Sequence, residues 1–74
     1  MKTIRLNDSI YKLVNDYPEI KELLYDLGFE DIVKPGMIQT VGKFMNLRKG
    51  SQAKKINITE IIEKLENSGF VIEE

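Results

Sequence analysis

With 74 residues the chain reads as one domain, and at that size a single core leaves little net stability to spare. It has no Cys and no His, which excludes disulfides, thiolate nucleophiles and zinc–sulfur sites and removes the commonest general base. The net charge of −1 conceals a segregation: residues 1–31 sum to −3, residues 32–59 to +6 without a single acid, and residues 60–74 to −4.

The opening MKTIRLNDSI lacks the apolar run of a signal peptide, and no segment approaches the roughly 18 apolar residues of a membrane span. The expectation is a soluble, cytoplasmic protein. Thr3 to Leu6 reads as an extended end. Ser9 is placed to cap a first helix in which Ile10, Leu13, Val14 and Tyr17 share one face. A second helix repeats that spacing with Ile20, Leu23, Leu24 and Leu27, and Pro18 stands in its opening turn. The junction at Tyr17-Pro18 is tight, so the two helices should meet as an angled corner. Gly28 can then turn the chain off the helix in a left-handed conformation, letting Phe29 fold back onto the preceding turn.

The middle is less regular. Pro35-Gly36 fits a turn with Pro at its second and Gly at its third position. Met37, Ile38, Val41, Phe44 and Met45 fit a short helix with a wide apolar face, and LRKGSQAKKI (Leu47 to Ile56) reads as a polar loop around Gly50. A last helix follows, with Ile58, Ile61, Ile62 and Leu65 on its inner face, Asn57 or Thr59 as its cap, and Glu60 and Glu63 near its positive end. It ends as the second does: IKELLYDLGF and IIEKLENSGF both close in Gly-Phe, which reads as one cap used twice rather than a duplicated hairpin. Phe70 to Ile72 is again extended.

The fold expected from these elements is all-α. It is a compact array of four to five short helices in a single helical domain spanning 1–74, with Phe29, Phe44 and Phe70 filling gaps in one core. The last helix should close over the first two. The two extended ends are open to pairing as a short ribbon.

Three features invite a chemical reading. PGMIQTVGKF (Pro35 to Phe44) has two glycines and a lysine, like a phosphate loop. That loop needs four residues between its glycines and a hydroxyl residue after its lysine; here there are five, and Phe44 follows Lys43. A turn and a close-packing glycine explain the stretch better. Glu30 and Asp31 follow a helix end but match no cation-binding loop, and Ser9, Thr40 and Ser51 have no visible base, so no catalytic, cofactor or metal residue is assigned. The basic middle carries the remaining signal. Lys43, Arg48, Lys49, Lys54 and Lys55 could meet an acidic protein surface or, as the alternative, a nucleic acid or other anion through residues 34–55. Phe44 is the one aromatic among them, and its expected place in the core leaves no stacking platform for bases. Their plainest role is to balance the acidic helices and keep a loop solvated.

The order of Tyr17-Pro18-Glu19, then Leu24-x-x-Leu27-Gly28-Phe29, then PGMIQTVGKFM, then a final helix closing in Gly-Phe resembles a small bacterial domain of unknown function. The resemblance runs from about Thr3 to Ile72. Some relatives of that family are known as the hybrid-cluster-protein-associated redox disulfide domain, in which two cysteines separated by two residues precede a proline. Asp31 and Lys34 stand at those positions here, so thiol chemistry does not carry over. A charge pair between them, bridging the same turn, is the expected substitute. The cysteine-less version with PGM and TVGKFM is similar to the subtype found ahead of hemerythrin-like and PAS modules. It implies a non-enzymatic accessory or docking domain in redox or gas sensing, with an acidic-surfaced sensor or metalloprotein as partner and no cofactor of its own. A homodimer through Met37, Ile38 or Leu47 is a further expectation if those side chains are exposed.

Overall fold

The computed structural model describes residues 2–73. In chain order they form strand β1 (Lys2–Arg5), helix α1 (Ile10–Asp16), helix α2 (Ile20–Leu27), a run of turns ending in one 3-10 turn (Val41–Lys43), helix α3 (Leu47–Lys54), helix α4 (Ile58–Asn67) and strand β2 (Phe70–Glu73). The strands pair in parallel, Lys2 opposite Phe70 and Ile4 opposite Ile72. The all-α class expected from the sequence is therefore wrong: this is a small α/β domain. A parallel pair needs a long crossover between its strands, and here every helix among the described residues lies within that crossover. The two extended ends do pair, as their sequence left open, but nothing local in either tetrapeptide announces the parallel orientation.

The sheet belongs to the core. Ile4 and Phe70 are buried, and Tyr17 meets the Phe70 ring edge-on with centroids 5.3 Å apart. Above them α4 packs on β2, α2 and α3, while α1 packs on α2 and on the 3-10 turn. The last helix thus closes over α2 and α3, where a lid over both of the first two helices had been expected.

The helix ends follow their residues. Ser9 Oγ accepts from the Lys12 N–H, and Asn57 Oδ1 from the Thr59 N–H. At the end of α2, Gly28 has a φ of 110°, and the N–H groups of Gly28 and Phe29 donate to Tyr25 and Leu24 carbonyls at 3.1 and 2.9 Å. That pair of bonds is a Schellman closure. Gly69 turns the chain off α4 in the same left-handed region, with φ 95°, but there the following phenylalanine starts a strand.

Two stretches of the middle reverse their expected roles. The apolar run from Met37 to Met45 forms turns and a single 3-10 turn in place of a helix. Thr40, Val41 and Gly42 are three successive weak helix formers, and Thr40 leaves helical geometry at φ −109°, ψ −83°. Conversely LRKGSQAK is helix α3. Asn46 Oδ1 caps it by accepting the Lys49 N–H at 2.8 Å, and Leu47 anchors it in the core. Gly50 lies in its middle, on the buried side, directly against the ring of Phe29. The glycine that looked like a loop breaker is a point of close approach.

Candidate interaction surface

The glycine-rich stretch is tied up internally. Pro35-Gly36 makes the expected turn, with Gly36 at φ 83° and the Met37 N–H donating to the Lys34 carbonyl at 3.0 Å. The Gly42 and Lys43 N–H groups donate to Met37 and Thr40 carbonyls at 3.0 and 3.2 Å, so they do not converge on an outside anion. Lys43 instead lays its ammonium over the Tyr11 ring, 5.0 Å from the centroid.

Asp31 and Lys34 lie within ion-pair distance, 3.5 Å from Oδ1 to Nζ. A stronger partner, invisible in the sequence, arrives from α3: Lys54 Nζ donates to Asp31 Oδ2 at 2.9 Å. Lys54 first and Lys34 second hold the Asp31 carboxyl below the ordinary aspartate value. Asp31 and Lys34 are largely exposed and Lys54 partly so, which makes the cluster a solvated clasp between the turn and α3.

The five candidate basic residues have different surroundings. Lys54 faces Asp31; Lys55 ends α3 with a left-handed φ of 56°; Arg48 borders a small groove with Ser51, Gln52 and Ile58. Lys43 and Lys49 both line a groove of about 320 Å³, together with Asn7, Ser9, Met45 and Asn46. Phe44 lines it too and is 80% exposed, in contrast to Phe29 at 1%. The placement of Phe44 in the core is therefore overturned. Without a helix from 37 to 45, its side chain loses the inward face that the spacing suggested. The groove's shape comes from a bridge joining two helix starts. Ser9 and Asn46 pair as an isolated antiparallel bridge, and the Ile10 N–H donates to the Met45 carbonyl at 2.8 Å.

Of the residues offered for a dimer, Leu47 and Ile38 are buried and Met37 is half-buried, so they do not make a contact face. Among the described residues, the exposed large apolar side chains are Phe44, Tyr25, Val41 and Val71. Among the described residues, no group of three or more carboxylates gathers as a metal site, and no helix is long and apolar enough to cross a membrane.

A family model described as a domain of unknown function (DUF1858) matches residues 4–62. The chain belongs to the DUF1858 family. The match takes in β1's buried Ile4, the corner of α1 and α2, the turn-rich middle, α3 and the first half of α4. This DUF1858 domain is also similar to the crystal structure of a conserved domain protein from Streptococcus pneumoniae TIGR4. The TM-score is 0.92 and the identity 29%, over 99% of this chain and 92% of that one. No curated protein matches the chain.

Proposed function

We propose that this DUF1858 domain is a cytoplasmic, non-enzymatic interaction module whose partner presents an acidic surface. The observation that carries the reading is the exposed Phe44 between Lys43 and Lys49, over a groove with no acidic side chain among its lining residues. An aromatic ring in water beside two cations is a poor use of apolar surface in so small a domain unless something covers it. The chain's charge segregation supports the same reading, because it concentrates every cation of residues 32–59 away from an acid of the same segment.

The kind of partner rests on the resemblance to the hybrid-cluster-protein-associated redox disulfide domain and its cysteine-less subtype. It points to a hemerythrin-like or PAS protein of a redox or gas-sensing system. Asp31 and Lys34, at the positions of the family's cysteines, act here as a clasp with Lys54 and carry no redox role.

One observation favours a second reading, weak single-strand nucleic-acid binding. Phe44 is free to stack on a base, which its expected burial would have forbidden. Titrating the isotope-labelled domain with polyglutamate and with oligothymidylate, at low and physiological salt, separates the two. Amide shifts over residues 43–55 with polyglutamate support the module. A preference for the oligonucleotide with steep salt loss supports the second reading. No shift with either at low salt overturns both.

A further inference from the structure

The Phe44 groove can be taken further, on the footing that the domain is an interaction module. We propose that it is a linear-peptide site, which seats one apolar side chain against Phe44 and Met45 while Lys43 and Lys49 each hold a carboxylate of the same acidic segment.

The chemistry available in the groove is narrow. Asn46 Oδ1 and Ser9 Oγ are engaged with the N–H groups of Lys49 and Lys12, and serve to hold the walls. What faces a visitor is therefore the Phe44 ring, two ammonium groups and a few short polar groups: the Asn7 amide, the Ser9 hydroxyl and the Asn46 amide N–H. Lys49 makes no ion pair with any described residue, and Lys43 rests on a ring, not a carboxylate. The nearest acid in sequence, Asp8, turns to Lys12, whose ammonium lies 3.9 Å away and is shared with Asp16. A volume of about 320 Å³ admits one or two side chains, not a globular surface.

The geometry also selects among occupants. A second copy binding through the same groove would set Lys43 and Lys49 of each chain against those of the other, and like charges at an isologous contact disfavour it. A nucleic-acid strand needs a row of cations that follows its backbone. Here the row is broken, because Lys54 and Lys34 are turned to Asp31. A short acidic segment with one apolar residue matches both the two charges and the single ring.

The test uses the whole chain, isotope-labelled, with three probes: a synthetic Glu/Phe peptide, a Glu/Ser peptide of equal charge, and oligothymidylate. The expected result is amide shifts at Asn7, Ser9 and residues 43–49, with the Glu/Phe peptide bound at least about tenfold more tightly than the Glu/Ser peptide. Phe44→Ala should erase that preference and Lys43→Gln/Lys49→Gln should weaken both peptides, while Lys54→Gln changes neither. Phe44 is exposed, so its variant keeps the fold, which its amide spectrum verifies. Equal binding of the two acidic peptides, or binding indifferent to Phe44→Ala, overturns the peptide site while leaving the interaction module standing. Tighter binding of oligothymidylate overturns it in favour of a nucleic acid. Silence with all three overturns the site and the module together.

Discussion

Gly50→Ala isolates one physical question: whether a glycine inside α3 is a weak link or a requirement. On an exposed helix the substitution should stabilise by about 1 kcal/mol, because alanine is the better helix former. Here a Cβ added to Gly50 would lie 2.7 Å from Phe29 Cε1 and 3.3 Å from Cζ. The ring cannot swing clear, since Phe29 is 1% exposed and is held by the cap that ends α2. Overpacking of this kind costs about 1–3 kcal/mol, and a fixed aromatic ring places the site toward the upper end. The net expectation is a loss of about 1–2 kcal/mol once the propensity gain is subtracted, a fall in Tm of roughly 4–16 °C for a domain this small. Urea unfolding followed by circular dichroism measures the loss directly. Phe29→Leu should be less damaging in the Gly50→Ala background than in the native one, a coupling of at least about 0.5 kcal/mol. A Gly50→Ala chain as stable as the native one, or more so, would refute the argument from close approach.

Asp31→Asn should weaken the fold at neutral pH. The Asp31 carboxyl is held below its ordinary 3.8 by Lys54 and then Lys34, so its contribution is present above that value and is lost as pH falls through the lowered one. The gap between native and variant midpoints should therefore close in acid, and a pH-independent gap would contradict the clasp. Lys55→Gly should stabilise by about 0.5–1 kcal/mol, because an L-residue at φ 56° is strained where glycine is not, and thermal unfolding reads the sign. Phe44→Ala should leave stability within about 0.5 kcal/mol, whereas Phe29→Ala or Phe70→Ala should each cost about 3–5 kcal/mol. Equal losses for all three in chemical denaturation would mean that Phe44 is packed after all.

Much of the local structure was legible because it is written in short-range chemistry. Ser9 and Asn57 cap with side-chain oxygens a few bonds from the amides they serve, and Gly28, Gly36 and Gly69 take left-handed geometries that their neighbours demand. The apolar spacing of α1, α2 and α4 is regular enough to mark their inner faces. Helix α3 was illegible for the opposite reason: it buries only Leu47 and Gly50, so it has no apolar stripe to read. Its signal lay in Asn46 followed by strong helix formers, and the central glycine masked it.

The candidate surface divides along the same line. Sequence alone determined the concentration of cations in residues 32–59, the lack of thiol and imidazole chemistry, and the failure of the glycine-rich stretch to match a phosphate loop. The tertiary structure alone decided that the two ends pair in parallel, that Lys54 reaches Asp31, and that Phe44 points into water while Lys43 and Lys49 flank a groove. The strand pairing, the Lys54 contact and the groove each depend on residues far apart in the chain. A side chain's own neighbours dictate its backbone, but only packing dictates what it faces.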